Sequence, residues 1–68
     1  MPFANLKVPA NTISDQQKKD LIDTVTEAYV TIWGEQARPN VLVLVEEVGE
    51  GGWGIGGNVL TADMLNHS

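Results

Sequence analysis

The sequence predicts an α/β (α+β) fold: a β-α-β protomer with parallel strands, one long helix and a C-terminal hairpin. Three observations support this prediction. Apolar and polar residues alternate near the N-terminus, a run with helical periodicity follows, and a second strand after the helix is apolar at every position. Two strands joined through a helix lie parallel, and the crossover between them is right-handed.

The first predicted strand covers residues 3–8. Ala4, Leu6 and Val8 share its apolar face, and Asn5 and Lys7 lie with the aromatic Phe3 on the other face. Pro9 has no N–H to donate to a sheet ladder, so we expect the strand to end there or to lie at a sheet edge.

The helix is predicted over residues 15–33. Ser14 is the expected N-cap, and Gln17 completes a capping box. Gly34 is expected to end the helix in the left-handed conformation. The predicted core-facing stripe follows the 3.6-residue period and consists of Leu21, Ile22, Val25, Ala28, Tyr29 and Ile32.

The second half of the chain begins with a predicted loop over residues 35–40 and the apolar strand Val41–Val45. A strand that is apolar on both faces is buried on both faces. Six of the seven glycines follow, which predicts turns and a short hairpin over residues 48–60. The last eight residues are expected to form a frayed tail or a short helical turn.

The 68 residues form a single domain over 1–68. A core this small barely offsets the loss of conformational entropy, so such chains usually add disulfides, a metal or subunits. Cysteine is absent and the only histidine is His67, which excludes disulfides and a histidine metal cage within one chain. We therefore expect an oligomer.

The net charge of −5 arises from nine acidic and four basic side chains. Four dispersed cations cannot form the basic face that nucleic acids and anionic membranes require. The sequence has neither a transmembrane run of ~20 apolar residues nor a signal-peptide pattern. We expect a cytoplasmic protein with no nucleic-acid or membrane partner.

Pro2 is the candidate catalytic residue. Initiator methionine is generally removed before a small residue, and removal would leave the secondary amine of Pro2 at the N-terminus. A free α-amino group titrates at about 7.7–8.0, and burial lowers its pKa further. This amine could therefore act as a base near neutral pH.

Three further features have two interpretations each. Trp53, between glycines, is either a packing residue or the aromatic wall of a ligand pocket. Arg38 forms either a surface ion pair or an anion site. Glu46 and Glu47 could be an acid–base pair, but neighbours in a strand point to opposite faces, which favours solvated charges.

The glycines of residues 52–57 match a dinucleotide-binding pattern, but too few residues follow for the required βαβ unit.

Taken together, four segments resemble the tautomerase superfamily, specifically the short 4-oxalocrotonate tautomerase type. In chain order they are Pro2 opening a strand, the helix start at residues 14–18, the apolar strand ending in Glu46-Glu47, and Trp53-Gly54-Ile55-Gly56-Gly57. The resemblance spans roughly residues 2–60. It implies a hexamer arranged as a trimer of dimers, with sites at subunit boundaries.

The resemblance also implies that Pro2 is a general base that moves a proton between carbon atoms of a keto acid, with Trp53 lining the pocket. Arginines bind the substrate in this family, but Ile13 and Leu42 stand at their two positions here. Candidates to replace them are Arg38, Lys7 and the backbone amides near Asn11 and Thr12.

We therefore predict a tautomerase-like isomerase, with Pro2 as the catalytic residue and Arg38, Trp53, Lys7 and Thr12 as substrate-binding residues. The expected partner is a small-molecule substrate, with no cofactor and no metal. The alternative is a non-catalytic oligomeric assembly or small-ligand binding module that keeps the fold without the arginine site.

Overall fold

A computed structural model describes residues 2–66. The chain forms two longer strands around a long helix, followed by a hairpin and a short terminal helix. The elements in order are β1 (Phe3–Pro9), α1 (Asp15–Trp33), a 3₁₀ helix (Glu35–Asn40), β2 (Leu42–Val48), β3 (Gly54–Ile55), β4 (Asn58–Val59) and α2 (Ala62–Asn66).

The strands β1 and β2 pair in parallel, as predicted for a β-α-β unit. Their register runs from Phe3 opposite Leu42 to Pro9 opposite Val48. The Ala10 N–H extends the ladder by donating to the Val48 carbonyl at 3.0 Å. β2 therefore reaches beyond the predicted residues 41–45, because its two glutamates pair with the end of β1 instead of turning away.

The start and end of α1 are where the sequence places them. The Gln17 N–H donates to Ser14 Oγ at 3.1 Å, and the Ser14 N–H donates to Gln17 Oε1 at 2.8 Å, which forms the predicted capping box. At the other end the Gly34 N–H donates to the Val30 carbonyl. No helix within residues 2–66 is long and apolar enough to cross a membrane.

The predicted core-facing stripe of α1 is wrong at Ala28 and Ile32. Both are exposed, Ile32 to 75%, whereas Thr26 and Val30 face the sheet. Thr26 tolerates this position because its hydroxyl donates to the Ile22 carbonyl at 2.7 Å, which satisfies its polar group within the helix. The inward face thus includes Val30, which the predicted stripe omitted, and the polar Thr26.

Two details of the following segment also differ from expectation. Residues 35–40 form a 3₁₀ helix rather than a loop, with the Ala37 N–H donating to the Gly34 carbonyl at 3.1 Å. Gly34 has a positive φ of 97°, but its ψ of 165° lies outside the left-handed helical region. This backbone conformation is essentially restricted to glycine, and it redirects the chain from α1 into the 3₁₀ helix.

The glycine-rich segment forms the predicted hairpin. β3 and β4 are antiparallel, and Gly56 and Gly57 between them have φ values of 58° and 83°. Two consecutive positive φ angles are typical of the type I′ turn that connects two-residue hairpins. The residues 52–57 therefore do not form the strand-to-helix turn of a dinucleotide site. The short helix α2 fits the predicted helical turn, while His67 and Ser68 lie outside the described residues.

One face of the β1–β2 sheet packs on α1, and the other is uncovered. Phe3 and Leu42 are each 53% exposed on the uncovered face, and Leu44 beside them is 45% exposed. Among the hydrophobic side chains that the structure describes, only that of Val30 is buried. Parallel sheets are normally covered on both faces, so these three residues form an apolar surface suited to contact with another subunit.

We expect Leu44→Lys to abolish assembly, because a charge on this uncovered sheet face could not be buried at a subunit contact. Analytical ultracentrifugation and circular dichroism would follow association and folding. Thr31→Lys, on the exposed side of α1, is the matched control and should behave as the parent protein. A parent protein that sediments as a folded 7.4 kDa species would contradict the expectation.

Candidate active site

Pro2 lies at the N-terminal edge of the parallel sheet, directly before β1. Its carbonyl accepts a hydrogen bond of 2.9 Å from the Leu42 N–H, which ties it to the start of β2. The Tyr29 hydroxyl of α1 donates to the neighbouring Phe3 carbonyl at 3.5 Å. Pro2 is half-buried, and these contacts give its pyrrolidine ring a defined position at the edge of the sheet.

Arg38 lies at the same end of the protomer, in the 3₁₀ helix that leads into β2. Its guanidinium contacts two carboxylates, with Nε 2.6 Å from Glu35 Oε1 and Nη2 3.2 Å from Glu27 Oε2. The hydrogen bonds to Glu35 and Glu27 raise the pKa of Arg38, and they lower the pKa of each glutamate. Arg38 thus links the 3₁₀ helix to α1.

The other three predicted site residues lie at the C-terminal end of the sheet. Lys7 forms an ion pair with Glu46, its register partner on β2. Thr12 donates its hydroxyl to the Pro9 carbonyl at 2.6 Å. Trp53 is half-buried, and its indole N–H donates to the carbonyl of the last β2 residue at 2.9 Å.

The loop between β1 and α1 is held by a carboxylate. Asn11 has a φ of 65°, a left-handed conformation that asparagine tolerates better than most residues. Its backbone N–H donates to Glu47 Oε1 at 3.1 Å, and the other oxygen of Glu47 accepts from Lys18 Nζ at 2.7 Å. The hydrogen bond from Lys18 is the main cause of the lowered pKa of Glu47, and the bond from Asn11 is the next. The backbone N–H of Asn11 is therefore already hydrogen-bonded to a carboxylate.

A cavity of about 230 Å³ lies at the same end of the sheet. It is bounded by the β1–α1 loop, the end of β2 and α2. Its lining is mostly apolar or uncharged and consists of Pro9, Ala10, Asn11, Val48, Gly49, Glu50 and Leu65. Glu50 and Leu65 could not be predicted from the sequence, because α2 reaches this loop only through the fold and no local motif marks the contact.

One protomer does not bring the predicted site residues together. Pro2 and Arg38 are at the N-terminal edge of the sheet, and Lys7, Thr12 and Trp53 are at the C-terminal end. Strands rise by about 3.3 Å per residue, so Pro2 and Lys7 lie roughly 16 Å apart along β1. Glu46 and Glu47 also diverge, because Lys7 of β1 binds the first and Lys18 of α1 binds the second.

The family model described as "Tautomerase enzyme" matches residues 2–63. The chain belongs to the tautomerase family. It is 38% identical over 61 residues to the probable tautomerase K2 of Dickeya dadantii, and the match covers 90% of each chain. Family membership supports a tautomerase-like isomerase activity.

Solved structures agree with the fold of this chain. A 4-oxalocrotonate tautomerase isozyme from Methylibium petroleiphilum is 33% identical, with 94% of this chain and 97% of the other covered and a TM-score of 0.73. DmpI from Helicobacter pylori is 32% identical, with 85% and 94% covered and a TM-score of 0.74. The predicted resemblance and the β-α-β fold with its C-terminal hairpin are thus confirmed.

The contact between Glu47 and Lys18 makes a prediction about acid stability. Because the folded state lowers the pKa of Glu47, its stabilising contribution is present above its ordinary value of 4.5 and is lost as the pH falls through the lower folded value. Glu47→Gln should flatten the fall in melting temperature below pH 4.5. Lys18→Gln should do the same, and the double variant should add little. Additive effects would show that the two side chains act independently.

Proposed function

We propose that this tautomerase acts in the cytoplasm as a homohexamer that uses the amine of Pro2 as a general base on an enolisable carbonyl compound. The carrying observation is the position of Pro2, at the start of β1 in a chain that matches the family model from residue 2 onward. The resemblance implies a keto acid or a related carbonyl compound as the substrate.

The proposed reaction is a proton transfer between two carbon atoms. The neutral amine of Pro2 takes a proton from a carbon next to the carbonyl group, which leaves an enolate and a secondary ammonium. The ammonium then returns the proton to a different carbon of the conjugated system. Negative charge develops on the carbonyl oxygen, so a donor must face that oxygen in the site.

We place the complete site between subunits. Pro2 and Trp53 lie at opposite ends of one protomer, so the pocket wall next to Pro2 comes from a neighbouring chain. The C-terminal end of that neighbour brings Trp53, Thr12 and the cavity. Lys7 and Arg38, the candidate anion-binding residues, could bind a substrate carboxylate only by leaving their present carboxylate partners.

Blocking the amine of Pro2 should lower kcat/KM by about 10²–10⁴-fold, the usual contribution of a general base. Acetylation or retention of Met1 converts this amine to an amide, which is not basic. In the unblocked enzyme kcat/KM should rise with pH, because deprotonation creates the active base. Pro2→Ala is the control, since it leaves a primary amine and should keep part of the activity.

Sedimentation and circular dichroism of the blocked protein should match those of the parent, so that loss of activity reports on chemistry alone. A blocked protein that turns over substrate as fast as the parent would refute Pro2 as the base. It would place the base at another residue. An unblocked protein that turns over no enolisable carbonyl compound would instead favour the alternative of a non-catalytic assembly or small-ligand binding module.

A subunit-spanning site should allow complementation between two inactive proteins. We would unfold a chain with a blocked Pro2 together with a Trp53→Ala chain and refold the two in equal amounts. Random assembly places an intact Pro2 next to an intact Trp53 in about a quarter of the sites, so the mixture should recover roughly a quarter of parental activity. Each chain refolded alone is the control. No recovery would place both residues in a site formed by one chain.

A further inference from the structure

Every lysine and arginine of this chain is paired with a carboxylate. The sequence has four such cations, and all lie in the described residues. Lys7 pairs with Glu46, and Lys19 pairs with Asp23 at 3.1 Å. The two remaining cations, each with two carboxylate partners, are Lys18 with Asp15 and Glu47, and Arg38 with Glu27 and Glu35.

Arg38 illustrates how fully these cations are engaged. Its Nε and Nη2 bind the two oxygens of Glu35, and its Nη1 and Nη2 bind those of Glu27. Both sides of the guanidinium fork are thus occupied by carboxylates in the bidentate arrangement that a substrate carboxylate would need. One cation between two anions leaves a local charge of −1, which repels a further anion.

The cavity at the C-terminal end of the sheet is also unsuited to an anion. Pro9, Val48 and Leu65 give it apolar walls, and Glu50 contributes a carboxylate. Asn11 borders the same space, and a carboxamide N–H is an uncharged hydrogen-bond donor. Trp53 donates its indole N–H to the carbonyl of Val48, which is one of the residues that line this cavity.

We infer that the substrate is an uncharged enolisable ketone, aldehyde or ester, and that the Asn11 side chain of the neighbouring subunit donates to its carbonyl oxygen; this inference rests on the proposed function. The proton transfers are the same as in the proposed reaction. Pro2 takes the proton, and the enolate and the ammonium form as an ion pair that collapses when the proton returns. No second negative charge enters a protein whose net charge is already −5.

Phenylpyruvate and its methyl ester form a suitable pair of probes, because they differ at the reacting centre mainly by one charge. Exchange of the C3 protons in D₂O, followed by NMR, measures kcat/KM for both. Dividing each value by the rate with free prolinamide corrects for the different acidity of the two compounds. We expect the corrected value for the ester to exceed that for the acid by at least about tenfold.

Ionic strength provides a second readout. Raising the salt concentration should increase kcat/KM for the acid and leave that for the ester unchanged, because salt screens repulsion between charges. A corrected kcat/KM for the acid that equals or exceeds that for the ester would overturn the inference. Exchange that depends on Pro2 would in that case still support the proposed function. If neither compound exchanges its C3 protons, or if exchange persists with a blocked Pro2, both the inference and the proposed function are overturned.

Glu50→Gln tests the cavity, and Asp23→Asn on the exposed surface of α1 is the control with the same change in net charge. The ester-to-acid ratio should fall about threefold in Glu50→Gln and stay constant in Asp23→Asn. Equal ester-to-acid ratios in Glu50→Gln and Asp23→Asn would show that the cavity is not part of the site.

Asn11→Ala should lower kcat for the ester more than it raises KM, since it removes a hydrogen bond that strengthens as charge develops on the carbonyl oxygen.

Discussion

The structure depends on how a two-stranded parallel sheet is covered. The helix α1 packs on one face of β1 and β2, and the opposite face presents Phe3, Leu42 and Leu44 to solvent. Parallel sheets rely on burial of both faces, and two strands alone do not form a stable sheet in water. The protomer therefore caps its helix but leaves apolar side chains of its sheet uncovered, and this surface is suited to contacts between chains.

The fold could be predicted from the sequence because its signals are local. The Ser14 and Gln17 capping box, the helical period and the paired Gly56 and Gly57 each act within a few residues. The errors arise where packing decides. Thr26 can lie half-buried because its hydroxyl bonds within the helix, and Ile32 remains exposed although the helical period assigns it to the core-facing stripe.

The candidate site could be predicted only in part. Pro2, as a potential terminal amine, and Trp53, between glycines, are conspicuous in the sequence itself. Their separation depends on strand direction, since parallel pairing sends Pro2 to one edge and the hairpin to the other. The cavity was not predictable, because it forms where Asn11, Glu50 and Leu65 of three distant segments meet. The partners of Arg38 were equally hidden, because Glu27 lies eleven residues earlier on another element.

The charge arrangement links stability to chemistry. Lys7 with Glu46, Lys18 with Glu47 and Arg38 with Glu27 each join two different elements of the fold. Exposed ion pairs contribute little free energy individually, so their value here lies more in fixing the orientation of neighbouring elements than in stability. A substrate anion that approached these cations would compete with the carboxylates that already bind them. The proposed site therefore relies on dipoles, apolar surface and the proposed free amine of Pro2. Those resources suit proton transfer on a molecule that carries no charge of its own.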